Sequence, residues 1–171
     1  MFIQMLGAIM VLASSTLIGA YFGGMHGYRA KDLLQLRKAL VILKSEIEYT
    51  LTPLAIATQN IATKVSQPIG AIFEDFATLL KQRIPPEPAL TQAINNHIKD
   101  TYLTKDDVAQ LISLGKTLGY LDKNLQLSTI DLTIKHLDDN IKEQMELHAK
   151  NKKLYQTLGV LGGMLVVIVL I

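Results

Sequence analysis

Apolar residues recur along this chain at helical spacing, and the breaks between runs fall at proline, glycine and capping side chains. Leu33, Leu36, Leu40, Leu43 and Ile47 form one stripe on a helix predicted from Tyr28 to Tyr49, with Arg37, Lys38, Lys44, Glu46 and Glu48 off that stripe. Thr52 then reads as a cap and Pro53 as the first residue of a second helix reaching about Lys64, with Leu54, Ile61 and Val65 inward. Ser66 and Pro68 open a third helix, whose Ile69, Ile72, Phe73, Phe76, Leu79 and Leu80 make a broad apolar face. The run Arg83 to Pro88, "RIPPEP", reads as loop, because proline in a helix interior removes a hydrogen bond and clashes with the preceding turn. A short helix through Ala89, Ala93, Ile94 and Ile98 follows. Thr104 with Asp107 three residues on predicts the capped start of the next helix, which carries Val108, Leu111, Ile112 and Leu118. Leu127, Ile130, Ile134, Leu137, Ile141 and Met145 mark a long last helix that meets no Pro or Gly before Gly159.

Helices with one apolar stripe each bury it only by packing on one another, and no sustained alternating strand pattern interrupts them. The fold class expected is therefore all-α, an antiparallel bundle of about six helices. Both ends of the chain differ from this middle. The stretch "FIQMLGAIMVLASSTLIGAYFGGM" carries no charge over more than 20 residues, and Leu154 to Ile171 supplies 18 more. About 20 apolar residues cross a bilayer core, so each end is predicted to be a transmembrane helix. The organisation expected is a membrane helix and hinge over 1–27, a cytoplasmic helical bundle over 28–153, and a C-terminal membrane helix over 154–171. The hinge is "GGMHG", Gly23 to Gly27.

Charge fixes the expected orientation. No Lys or Arg precedes Arg29, which disfavours a cleaved secretory signal with its basic leader. Arg29 and Lys31, with Arg37 and Lys38, flank the first span, and Lys150, Lys152 and Lys153 flank the second. The positive-inside rule then places the middle in the cytoplasm and both termini outside it. Seventeen Lys and Arg against fifteen Asp and Glu give a net charge of +2 with no basic stripe, so nucleic acid is not an expected partner.

Little in the sequence points to catalysis. There is no cysteine for a thiolate nucleophile or metal site, no phosphate-binding glycine loop, and none of the four histidines lies in an HExxH pattern. His136 with Asp139, and Glu143 with Glu146, share helix spacing suited to a divalent cation, but Lys135 and Lys142 make a solvated mixed-charge face the simpler reading. No metal, cofactor or small-molecule substrate is expected, and a metal-dependent enzyme stands behind a binding or structural role.

What recurs is small residues four apart: Ser15, Gly19, Gly23 and Gly27 in the first span, Gly159 and Gly163 in the second. Such rows let helices approach closely in lipid. A second pair, Gly115 and Gly119, sits in "LGKTLGYLDKNLQ", where a helix-interior glycine costs roughly 1 kcal/mol against alanine. Gly119 reads as the end of one helix and Asp122 as the N-cap of the next. Gly115 is left with either a close packing contact inside the bundle or a direct contact to a partner.

The "LxxLGxxD"-like core at Leu114, Gly115, Leu118, Gly119 and Asp122 with Gln126, the run "LKSEIEYTLTPLAIA" from Leu43 to Ala57, and the two terminal spans resemble the stage III sporulation protein AB family of endospore-forming bacteria. The resemblance covers essentially the whole chain. That family is in turn similar to the cytoplasmic helical module of the inner-membrane platform proteins of type II secretion and type IV pilus systems. The resemblance implies a non-enzymatic membrane component of the channel joining mother cell and forespore, with its bundle on the mother-cell side. It implies as partners a cytoplasmic ATPase and the membrane subunits of the same complex. Platform proteins carry two such modules where this chain has one, which suggests a homo-oligomer. The competing reading is a membrane-anchored scaffold or regulator with no export role.

Overall fold

The computed structural model describes residues 14, 27–50, 52–119 and 122–170, and within the last stretch not the side chains of 148, 151–156 and 158–170. Six α-helices and no strand occur among the described residues. Helix α1 covers residues 27–45 and passes into a π-helical turn, Glu46–Thr50. It is followed by α2 (Leu54–Lys64), α3 (Ile69–Lys81), α4 (Pro86–His97) with a 3-10 turn at Ile98–Asp100, α5 (Lys105–Gly115) and α6 (Lys123–Leu170). The chain divides into two compact units, one of Arg29–Ile141 and one of Met1–Tyr28 with Lys142–Ile171.

The first unit is built on the predicted stripes. Leu33, Leu36, Leu40 and Leu43 of α1 are buried, with Ile47 partly buried at their end. Against them stand Ile61 of α2, Ile69, Ile72, Phe73, Phe76 and Leu79 of α3, Ile94 of α4, Leu111 and Leu114 of α5, and Ile130, Leu137 and Ile141 of α6. Each large apolar side chain so removed from water contributes about 1.5–3 kcal/mol.

Polar contacts give the helix directions. Arg37 pairs with Asp138, and Lys44 with Asp131 at 2.8 Å, so α1 and α6 run antiparallel. Lys38 bonds the carbonyl of Lys64 while Glu46 meets Asn60, which makes α1 and α2 antiparallel as well. The unit thus has a near end, where α1 enters and α6 leaves, and a far end formed by the π-turn, the start of α2, the α3–α4 corner and the α5–α6 corner.

Three local expectations are corrected. Thr52 does not cap α2: its hydroxyl donates to Glu46 Oε2 at 2.9 Å, and Pro53 holds the N-cap position without a side-chain bond. Met145 is 56% exposed rather than inward. The loop read at Arg83 to Pro88 is shorter, because α4 begins at Pro86. Pro86 and Pro88 occupy its first turn, where backbone N–H groups have no helical acceptor and proline's fixed φ suits the helix.

The loop that remains turns on Arg83, a non-glycine residue with a left-handed backbone, φ 64°. Its N–H bonds the Leu80 carbonyl at 3.0 Å and that of Ile84 bonds the Leu79 carbonyl at 3.2 Å, a Schellman end to α3. Glycine usually fills this position, and the left-handed form costs other residues about 1–2 kcal/mol. Arg83→Gly is expected to raise stability by up to about 1 kcal/mol after the added unfolded-state entropy, measured by thermal melting.

In the second unit α6 continues from Lys142 to Leu170 without a break. Ser15, Gly19 and Gly23, with the rest of the predicted first span apart from Ser14, lie outside the described residues, as do His26 and most of the predicted hinge; Gly27 is already helical. Gly159 and Gly163 fall in the helical C-terminal part of α6, among residues whose side chains are not described. Among the described residues no helix is long and apolar enough to cross a membrane.

Candidate functional site

The residues singled out around Gly115 converge on the far end of the bundle. Gly115 is the last residue of α5 and is buried against α4. A Cβ there would stand 3.1 Å from Leu90 Cδ2 and 3.4 Å from Glu87 Cα, so the missing side chain is what lets α5 and α4 touch. After Lys116 the chain turns, and Gly119 takes φ 84° with Pro86 Cγ 2.9 Å from where its Cβ would be. Only glycine meets both conditions at no cost. Asp122 then caps α6: its Oδ1 accepts from the N–H groups of Asn124 at 2.9 Å and Leu125 at 3.2 Å. The Gln126 N–H closes the first helical bond on the Asp122 carbonyl at 3.2 Å.

A shallow cleft of 260 Å³ opens at this corner, lined by Pro85, Pro86, Pro88, Gly115, Leu118 and Gly119 among others. Beside it, Lys116 and Glu87 approach to 3.9 Å across exposed surface. On the same end the Lys123 ammonium donates to the Glu48 carbonyl at 2.6 Å, tying the start of α6 to the π-turn that closes α1. The turn exposes Tyr49 to 76%, with Ile56 of α2 at 51% and Leu125 of α6 at 51%. Apolar side chains are thus presented to solvent from a scaffold that is itself hydrogen-bonded.

Hydrogen bonds from Thr52, Thr50 and Asn60 hold the Glu46 carboxyl below its ordinary value of 4.5. Since the folded chain keeps this carboxylate ionised to lower pH than the unfolded chain does, the stabilisation is complete above pH 4.5. It is lost as pH falls through the lowered folded value. Glu46→Gln should therefore show a shallower fall in melting temperature between about pH 5 and pH 3 than the wild type.

The near end is organised differently. Asp107 has no side-chain exposure, yet its carboxylate accepts from Arg29 Nη2 at 3.1 Å, from the Thr104 N–H at 2.8 Å and hydroxyl at 2.7 Å, and from Asn140 Nδ2 at 3.3 Å. With Thr104 it completes a capping box. Asp32, also buried, accepts the Tyr102 N–H at 2.8 Å. One turn of α1 is thereby pinned to the segment leading into α5. Sequence reading gave Arg29 to topology and Asp107, with Thr104, to the capped start of α5. Nothing local joins residues 78 apart, so the pair carried no sequence signal beyond Thr104 and Asp107 themselves. Gly70 was also missed: a Cβ there would lie 2.7 Å from the Val65 carbonyl oxygen.

Of the remaining topology residues, Lys31 and Lys150 are exposed, and the side chains of Lys152 and Lys153 lie outside the description. His136, Asp139, Glu143 and Glu146 are exposed along α6. Among the described residues no three His, Cys, Asp or Glu side chains come together as metal ligands.

Comparison with known proteins agrees with this architecture. The family model for stage III sporulation protein AB matches residues 4–171. Stage III sporulation protein AB of Bacillus subtilis (strain 168) is 31% identical over 169 residues, 98% of this chain and 99% of that protein. A solved structure of a stage III sporulation protein AB superposes with a TM-score of 0.67 at 31% identity, covering 72% of this chain and 98% of the solved one. These matches describe a sporulation protein, and none describes an enzyme. By its near full-length match to the family model and to a curated member, the chain belongs to the stage III sporulation protein AB family.

Proposed function

We propose that the chain is a non-enzymatic membrane platform component of the mother cell–forespore channel needed for endospore formation. Its apolar ends act as two transmembrane helices that seat it among the membrane subunits of the channel. Its bundle lies on the cytoplasmic, mother-cell side, and both termini lie across the membrane. The far end of the bundle couples to a cytoplasmic ATPase of the same complex. The single observation that carries the coupling is the exposure of Tyr49, Ile56 and Leu125 at the end opposite the one where α1 enters and α6 leaves. Exposed aromatic and aliphatic anchors on a rigid support are the usual centres of protein–protein interfaces.

The test is capture from membrane extracts. Tagged full-length protein should retain the neighbouring ATPase, and Tyr49→Asp should release it while the protein stays in the membrane fraction. Retention undiminished by Tyr49→Asp would remove the far end from the coupling. Absence of any association would favour the alternative of a membrane-anchored scaffold with no export role.

A further inference from the structure

Side chains build the π-turn Glu46–Thr50 and clamp it from two helices. A π-turn bonds i to i+5 where an α-turn bonds i to i+4, and single turns of this kind are frequent at functional sites. The Thr50 hydroxyl stands within hydrogen-bonding distance of the Glu46 carbonyl, the acceptor that the Thr50 N–H would take in an α-helix. The Glu46 carboxylate gathers the rest. Its Oε2 lies 2.9 Å from the Thr50 hydroxyl and 2.9 Å from that of Thr52, and its Oε1 accepts from Asn60 Nδ2 of α2 at 3.2 Å. From the other side the Lys123 ammonium of α6 holds the Glu48 carbonyl at 2.6 Å. The turn is thus tied to α2 through its first residue and to α6 through its third.

Tyr49 lies inside this clamp and is 76% exposed. An α-turn would expose it too, because two residues beyond Ile47 a helix has rotated about 200° from the buried stripe. What the wider turn changes is the heading of the ring, since each residue then advances by a smaller angle. An aromatic anchor binds by filling a pocket on its partner, so its heading decides whether it fits.

We infer that Glu46 is a positioning residue for the far-end contact: it fixes the π-turn that aims Tyr49 and touches no partner itself. This role depends on the coupling proposed above. Titration of the neighbouring ATPase onto the full-length protein in nanodiscs should give a Kd weaker by about tenfold or more for Tyr49→Ala. Glu46→Ala should weaken it by about threefold or more, and should add nothing further in the double variant, because Glu46 acts only through Tyr49. Glu46→Gln, whose carbonyl oxygen still accepts from the threonines, should bind like the wild type. An unchanged Kd for Glu46→Ala, full additivity in the double variant, or an equal loss in Glu46→Gln would overturn the inference while the far-end contact stands. A wild-type Kd for Tyr49→Ala would remove that contact and this role together.

Discussion

Asp107→Ala is expected to lower the melting temperature of the full-length protein by about 10–20 °C, from a loss of roughly 3–5 kcal/mol. The carboxylate is wholly buried and gathers donors from α1, the α5 N-terminus and α6. Removing it opens the capping box of α5, leaving Thr104 as a one-sided cap, and strands the Thr104 N–H and the Asn140 amide. Arg29 keeps 24% side-chain exposure and recovers part of its hydration, which limits the loss. The complementary change is diagnostic. Arg29→Met leaves a fully buried carboxylate with neutral donors only, and should cost about as much even though the residue removed is the more exposed one. A shift of less than about 2 °C in both variants, read by circular dichroism, would mean that the near end is not held by this pair.

Gly115→Leu is expected to cost about 3 kcal/mol or more, at the upper end of overpacking effects. The first added carbon meets the tip of Leu90, a side chain that can yield, but the rest would press on the Glu87 backbone of α4. Gly115→Ala should accordingly cost only about 1 kcal/mol or less, since a Cβ at 3.1 Å asks Leu90 to move a few tenths of an ångström. A glycine kept for an external partner would behave oppositely: both variants would melt like the wild type and only assembly would weaken. The burial of Gly115 beneath α4 favours the first pattern. Four residues on, Gly119 has a different reason to be glycine, its φ of 84°, so Gly119→Ala is penalised by backbone strain even where space is found.

The stripes of α1, α3 and α6 were legible because a periodic apolar face and its burial have one cause, and Leu33 to Leu43 follow it without exception. Capping at Thr104 and Asp122 was equally legible, being local chemistry within three residues. Proline misled at Pro86 and Pro88, since the rule against it holds for helix interiors and not for first turns. The π-turn and the left-handed Arg83 follow from how helix ends meet the bundle, which no short window of sequence records. The far-end site was half visible: its glycines stood out as costly residues, but the exposure of Tyr49 depends on what the fold leaves uncovered. The Arg29–Asp107 pair was not visible at all, because an ion pair across 78 residues is a property of the packed helices.

Hydrogen exchange of the nanodisc-embedded protein, with and without the ATPase, tests the central claim most directly. The ATPase is expected to slow exchange at the far end, in residues 46–56 and 116–126, and to leave the near-end segment 97–107 unchanged. Protection confined to 97–107, or no protection anywhere at saturating ATPase, would contradict it.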